Sequence, residues 1–153
     1  MSTTDLHVFD RTLQETHHWL KVMMEELETD SRRIAFQALR AGLHAVRDRI
    51  GAANAVHLGA QLPMLLRGAY YEGWRPFSTP TRERKLEDFF SHVEAYLPAT
   101  AQVDGPAAAY ATATAMAECL DGGEVEKVLE MLPADIRTIW PDYSGQAEFS
   151  FAG

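Results

Sequence analysis

Apolar residues recur every three or four positions through the first third of the chain, which is the spacing of one face of a helix. Over residues 6–27 the apolar positions and one tolerant position, Thr16, form one narrow stripe, which consists of Leu6, Phe9, Leu13, Thr16, Leu20, Met23 and Leu27. A second stripe, over residues 35–50, is rich in alanine and glycine, and small residues let a neighbouring helix approach closely. The pattern predicts two amphipathic helices, the first capped by Asp5 and the second by Asp30-Ser31. We expect the second helix to be the inner one and to end at Gly51.

Two leucine–proline pairs divide the segments that follow. Proline in a helix interior removes a hydrogen bond and clashes one turn back, whereas at the first helical position it costs little. Pro63 and Pro133 therefore predict corners, each with a short helix before and after it. We expect the helix before the first corner to be capped by Asn54. The helices after the corners should run to about residues 72 and 140.

Between residues 74 and 80 the sequence WRPFSTP has two prolines and no helical period, so we predict a linker. Thr79-Pro80 should open the fifth helix as a cap followed by a first-turn proline. Pro106 should open an alanine-rich sixth helix, and Gly122-Gly123 should form the turn after it.

The second half of the chain repeats the first at a fixed offset of seventy residues. At this offset the leucine–proline corners coincide, Arg67 falls on Arg137, and Tyr70 falls on Trp140. Apolar partners also recur at helical spacing. We therefore predict an all-α fold of eight helices, built as one domain over residues 1–153 from two pseudo-symmetric four-helix repeats. Repeat one spans 5–74, the linker 74–80, repeat two 79–141, and a tail without helical period 142–153.

Composition and charge exclude several classes of partner. Of 153 residues, 46% are hydrophobic and 24% are charged, as in ordinary globular domains. No apolar run approaches the length of a membrane span, and the N-terminus lacks a basic region followed by an apolar one. A net charge of −8 disfavours nucleic acid and anionic lipid surfaces. With a single cysteine, Cys119, we expect a cytoplasmic protein whose partners are neither nucleic acid nor membrane.

Four residues are candidates for metal binding. Glu15 and His18 have the three-residue spacing found in metal sites of helical bundles, and His44 lies one turn from Asp48. The offset of seventy takes Glu15 to Lys85 and His18 to Asp88, so this spaced pair does not recur in the second half, which favours surface or capping histidines. No nucleophile motif and no phosphate-binding glycine loop is found. We therefore predict neither a catalytic residue nor a cofactor.

Two further groups allow a functional and a structural interpretation. Arg67 and Arg137 could bind anions at the starts of their helices. Alternatively, each could bond to carbonyls of the preceding corner or pair with a nearby carboxylate. Four aromatic residues gather near the linker: Tyr70, Tyr71, Trp74 and Phe77. Such groups cover the seam between half-domains, and they also form interfaces with partners.

Three segments, FDRTLQETHHWL at 9–20, HLGAQLPMLLRGAYYEGW at 57–74 and LPADIRTIWP at 132–141, resemble the bacterial family DUF2267, a domain of unknown function. The resemblance implies an all-helical, soluble bacterial protein and assigns no catalytic residue. We predict a non-enzymatic helical protein-interaction module, whose partner is another protein or a second copy in a homodimer, with the four aromatic residues as its contact surface. The alternative is a helical bundle that binds a small ligand or metal between the two repeats.

Overall fold

The structure, a computed structural model, describes residues 4–141. Within this range the chain forms eight α-helices and no β-strand, which confirms the predicted all-α fold. The helices are α1 His7–Leu27, α2 Arg32–Ile50, α3 Ala52–Ala60, α4 Met64–Tyr71, α5 Leu86–Tyr96, α6 Gly105–Cys119, α7 Gly122–Glu130 and α8 Ala134–Arg137. The predicted tail, 142–153, lies outside the described residues.

Helix α2 is the inner helix, as its small residues predicted. It packs against α1, α3, α4, α5 and α6, and Ala38, Ala41 and Ala45 on it are fully buried. Helix α6 comes close to α2 at Gly42, where an added Cβ would lie 2.1 Å from Thr112 Oγ1. A side chain at Gly42 would therefore force the two helices apart. Ser31 caps α2 by accepting a hydrogen bond from Ile34 N at 3.2 Å, as predicted.

Both proline corners are present, and each proline lies one residue outside its helix. Pro63 and Pro133 occupy the N-cap positions of α4 and α8 with extended ψ values of 146° and 150°. Their carbonyls accept the first intrahelical hydrogen bonds. Helix α8 ends at Arg137, earlier than predicted, because the chain continues in i→i+3 turns that bury Ile139 and Trp140.

Three predicted helix boundaries were wrong. Helix α1 begins at His7 with Leu6 at its N-cap and no side-chain cap, so Asp5 does not start the helix. Asn54 lies inside α3, where its amide donates to Ile50 O at 2.9 Å. Gly122 begins α7 instead of forming a turn with Gly123.

The linker is longer than predicted, because Thr79-Pro80 does not open α5, which begins at Leu86. A short 3-10 helix, Pro76–Ser78, comes first. The chain then runs along the end of α2, where Thr81 N donates to Asp48 O at 2.9 Å and Arg49 Nε to Glu83 O at 2.7 Å. These tertiary hydrogen bonds replace the helical ones that the local sequence favours.

The offset of seventy recurs in the helix boundaries and in the packing. Ala52–Ala60 and Gly122–Glu130 are seventy residues apart at both ends. At this offset α1 corresponds to α5, α2 to α6, and α4 to α8. The packing follows the same correspondence, because α1 packs against α6 and α4, and α5 packs against α2 and α8. Two equivalent pairs touch directly, Gly42 with Thr112 and His57 with Lys127, whose Nε2 and Nζ lie 3.5 Å apart. Such contacts are expected on a pseudo-twofold axis. The duplication itself stays a prediction that superposition of the halves would test.

Candidate functional site

A buried charge cluster fastens the linker to the end of α2. Arg47 is 1% exposed and Asp48 is 6% exposed, and Arg47 Nε donates to Asp48 Oδ1 at 2.9 Å. Arg47 Nη1 also donates to the carbonyls of Tyr70, at 2.8 Å, and Glu72, at 3.0 Å. These carbonyls lie at the end of α4, where the helix dipole favours a cation. The guanidinium is therefore compensated from several sides, as a buried charge must be.

His92 of α5 bridges two carboxylates in the same cluster. Its Nε2 lies 3.1 Å from Asp48 Oδ2 and its Nδ1 lies 2.5 Å from Glu83 Oε1. Burial alone would lower the pKa of His92, but the hydrogen bonds to Asp48 and Glu83 raise it to about 9. Burial opposes ionisation of both carboxyls as well, yet their hydrogen bonds hold the pKa of Asp48 and of Glu83 below the ordinary values. His92 is thus a cation that donates from both ring nitrogens.

A cleft of about 340 Å³ opens beside this cluster. Its lining comprises Asp48, Gly73, Arg75, Ser78, Thr79, Thr81 and Tyr96. Tyr96 donates its hydroxyl to Asp48, and this carboxylate also accepts from Arg47 and His92. With both oxygens engaged by protein donors, Asp48 is poorly placed to act as a base or as a metal ligand. The main role of the cluster is therefore structural, since it holds the linker against the end of α2.

The predicted metal candidates lie in two separate places. His44 is buried, its Nε2 lies 2.8 Å from the Ala69 carbonyl, and burial lowers the pKa of the ring to about 4. Glu15 pairs with Arg11 at 2.9 Å. With His18, Glu15 lines a cavity of about 350 Å³ that also reaches Cys119, and burial raises the pKa of that thiol to about 12. Among residues 4–141, no group of three or more histidine, cysteine or acidic side chains is arranged to hold a metal ion.

Arg67 bonds to the corner that precedes its helix. Its Nε donates to Gly59 O at 2.8 Å and its Nη2 to Leu62 O at 2.9 Å. These bonds satisfy carbonyls at the end of α3 and favour the structural interpretation over an anion site. Arg137, its counterpart, is half-buried at the end of α8.

The four aromatic residues near the linker do not form one surface. Tyr70 is fully buried and donates its hydroxyl to Ala55 O at 2.8 Å. Tyr71 packs between Tyr70 and Trp74, with ring centroids 5.0 Å and 5.4 Å apart. Both Tyr71 and Trp74 are half-buried. Phe77, on the 3-10 helix, is fully exposed, so it is the member of the group most available to a partner.

An apolar groove, which sequence reasoning missed, lies between the start of α1 and α4. Its volume is about 430 Å³, and its lining is uncharged: Thr4, Phe9, Thr12, Leu13, Met64, Leu65 and Gly68. Phe9, Met64 and Leu65 are 46%, 45% and 50% exposed. The α1 stripe predicted to be core thus extends beyond the core at its N-terminal end. A usable signal was that three apolar residues of this end of α1, Val8, Phe9 and Leu13, correspond to polar residues at the offset of seventy, Ser78, Thr79 and Glu83.

Thr12 and Gly68 fix the shape of this groove. Thr12 is buried and its hydroxyl accepts from Leu65 N at 2.9 Å. That amide belongs to the first turn of α4, where backbone donors have no intrahelical partner. At Gly68 an added Cβ would meet nothing within 4 Å, so the groove is open there. The groove is therefore held between two helices that are hydrogen-bonded to each other.

None of the helices formed by residues 4–141 combines the length and the apolar character needed to cross a membrane. The sequence matches no curated protein. A family model described as "Uncharacterized conserved protein (DUF2267)" matches residues 16–139, which includes the second and third resembling segments almost entirely. On this match, which spans most of α1 to α8, the chain belongs to the DUF2267 family.

Proposed function

We propose that the protein is a non-enzymatic helical interaction module that associates with a second copy of itself through the groove between α1 and α4. The observation that carries this proposal is the exposed apolar lining of the groove, formed by Phe9, Met64 and Leu65. Contiguous exposed apolar surface on a folded protein is typical of interaction sites, whereas single exposed apolar residues are ordinary.

The corresponding positions in the second half of the chain indicate that packing does not require this apolar surface. At the offset of seventy, Phe9 corresponds to Thr79, Leu13 to Glu83, and Leu65 to Asp135. Asp135 even contributes to the fold there, since its carboxylate accepts from Leu86 N at 2.6 Å. Polar residues thus suffice at the corresponding corner. The exposed apolar residues of the first half are better explained by a partner that covers them.

Charge favours a second copy that meets this surface in particular. The chain carries a net charge of −8, so two copies repel each other over most approaches. The lining of the groove contains no ionisable side chain, and contact there adds no direct charge repulsion. We place this association in the cytoplasm, where the single cysteine is compatible with a reducing environment.

The groove variant Leu65→Glu tests the proposal. Leu65 is exposed in the first turn of α4, where a carboxylate suits the helix dipole, so the fold should be retained. We expect the wild-type protein to be a dimer by light scattering and sedimentation, and the variant to be a monomer. The matched control is Val56→Glu, because Val56 on α3 is 53% exposed and lies outside the groove lining. A monomeric wild type, or a dimer that survives Leu65→Glu, would refute self-association through the groove.

A small-ligand or metal-binding protein is the second candidate. The cleft of about 340 Å³ between α2, α5 and the linker favours it, although its carboxylate is already engaged. Metal analysis of protein purified without a histidine tag tests the metal version, whose predicted histidine ligands, His18 and His44, lie outside the lining of this cleft. Stoichiometric metal that is lost in His18→Ala or His44→Ala would favour this candidate over the module.

A further inference from the structure

We infer that the groove of each copy receives Phe77 of the other copy, so that two reciprocal insertions close the dimer. This inference rests on the proposed self-association and specifies which part of the second copy enters the groove. It joins two apolar features that packing among the described residues leaves exposed. These features are the open groove and the fully exposed side chain of Phe77.

Phe77 is presented by a fixed turn. Ser78 N donates to Arg75 O at 3.0 Å, and Thr79 donates to Pro76 O from both its backbone nitrogen, at 3.2 Å, and its hydroxyl, at 2.7 Å. The relative exposure of Phe77 is 103%, so none of the described residues 4–141 packs against its ring. A side chain on a pre-ordered turn loses less entropy on binding than one on a mobile loop. Phe77 therefore has the properties of an interface anchor.

The groove is large enough for a phenyl ring. Its volume is about 430 Å³, whereas an apolar cavity of roughly 150 Å³ already binds benzene. Phe9 and Leu13 form one wall, Met64 and Leu65 form the other, and Gly68 leaves the groove open. Aromatic and aliphatic surface would thus surround the inserted ring on two sides.

The surroundings of the two features have opposite charge. Residues 72–85 hold four basic and two acidic residues, a net of +2 in a chain of net −8. The basic residues Arg75, Arg82, Arg84 and Lys85 are all exposed. On the α1 side of the groove, residues 4–15 hold three acidic residues and one arginine, a net of −2 with histidine neutral. The one charged residue of α4, Arg67, is bonded to carbonyls of the preceding corner. Opposite charge around an apolar contact guides association and fixes its orientation, so the linker of one copy suits the groove of another.

Reciprocal insertion and direct groove-to-groove contact make different predictions for mixed variants. In a closed twofold dimer of the inserted kind, the contact between Phe77 and the groove occurs twice. Phe77→Ser removes the inserted ring and leaves the groove intact. Leu65→Glu damages the groove and leaves the ring intact. A mixture of the two variants can still form one complete contact, which neither variant can form alone.

Sedimentation and native mass spectrometry of the two variants, alone and mixed in equal amounts, test the inference. We expect each variant alone to dissociate with a Kd at least about tenfold above that of the wild type. The mixture should form a 1:1 heterodimer that is tighter than either homodimer and weaker than the wild-type dimer. Far-UV circular dichroism establishes that both variants are folded, and Phe77→Ser removes no intramolecular contact.

The possible failures are distinguishable. If Phe77→Ser dimerises as tightly as the wild type while Leu65→Glu is monomeric, the groove is the interface and Phe77 is not inserted into it. The same conclusion follows if the mixture recovers no heterodimer. If the wild-type protein is a monomer at every concentration, both the inference and the proposed self-association are wrong.

Discussion

His44 is buried and His92 is half-buried in the same region, and their contributions to stability respond to pH in opposite directions. The pKa of His92 is raised from 6.5 to about 9, so its stabilising contribution is complete below pH 6.5 and is lost as pH rises through 9. The pKa of His44 is lowered from 6.5 to about 4 by burial. Between pH 6.5 and 4, His44 is protonated in the unfolded chain and neutral in the folded chain. The free energy of unfolding therefore falls as pH drops through this range.

We therefore predict that the free energy of unfolding is greatest near pH 6.5. Between pH 6.5 and 9 the loss through His92 should be roughly 3 kcal/mol, at 1.36 kcal/mol for each pH unit. Urea unfolding from pH 5 to 9.5 measures it. His92→Gln should be less stable at pH 6.5 and should show a much flatter alkaline limb, while the acid limb from His44 remains. An unchanged alkaline limb in this variant would mean that His92 is not the titrating group.

The charged pair on α2 shows what single residues reveal and what they conceal. Arg47 and Asp48 directly follow Val46, on the helix that its alanines mark as the inner one, so their burial could have been suspected from the sequence. Their partners could not, because Tyr96 and His92 lie more than forty residues away. Helical periodicity indicates which face of a helix is apolar. It contains no information about which distant polar groups meet at that face.

At the scale of helices, the crossing of α2 and α6 depends on one missing side chain. A Cβ at Gly42 would lie 2.1 Å from Thr112 Oγ1 and 2.6 Å from Thr112 Cβ. Alanine gains about 1 kcal/mol over glycine in helix propensity, but overpacking of a core costs typically about 1–3 kcal/mol. Because the clash involves Thr112 Cβ as well as its hydroxyl, we expect the overpacking cost to lie towards the upper end of this range. Gly42→Ala should then lower the free energy of unfolding by about 1–2 kcal/mol.

Urea denaturation of the single and double variants checks this prediction. Thr112→Gly should recover part of the loss caused by Gly42→Ala, with a coupling of about 1 kcal/mol or more in a double-mutant cycle. Gly123→Ala is the matched control, since Gly123 lies in α7, outside the groove, and a Cβ there meets nothing within 4 Å. That control should be neutral or slightly stabilising. Equal effects at Gly42 and Gly123 would show that the crossing is looser than the structure describes.

Helices, corners and the Ser31 cap of α2 followed from the sequence, whereas the other predicted caps and the length of the linker did not. Proline is disfavoured inside a helix in any surroundings, so Pro63 and Pro133 predicted both corners correctly. Asn54 and Thr79 are good caps in isolation, but the chain uses Gly51 and Lys85 at the N-caps of α3 and α5. Contacts between Glu83 and α2 keep the segment before α5 from becoming helical. In this segment, tertiary hydrogen bonds override the local helix propensity, and the local sequence pattern contains no information about them.

The apolar groove was missed for a different reason. The α1 stripe satisfies the helical period through Leu6 and Phe9 as well as through the buried Leu20 and Met23. Periodicity identifies an apolar face, but it does not tell whether another helix covers all of it. Comparison with the polar positions at the offset of seventy was the sequence signal that separated core from exposed surface.

At the scale of the whole molecule, the two halves are interleaved and do not pack as two separate bundles. Helix α1 packs on α6 and α2 packs on α5, so most of the core of each half is completed by the other. An isolated half would expose this apolar surface and would lack much of the burial that offsets its conformational entropy. Neither half should therefore fold cooperatively by itself.

A chain divided in the linker after Phe77 tests this arrangement. The fragments 1–77 and 78–153 should each show weak, non-cooperative unfolding, and should regain native-like helicity when mixed, since all the interhelical contacts across the cut can re-form. Contacts of Asp48 and Arg49 with residues 81 and 83 also cross the cut and hold the linker to α2. The complex should unfold at lower urea than the intact chain, because fragment association costs entropy that a covalent linker avoids. Cooperative folding of either fragment alone would instead mean that each half has a self-sufficient core, contrary to the interleaved packing.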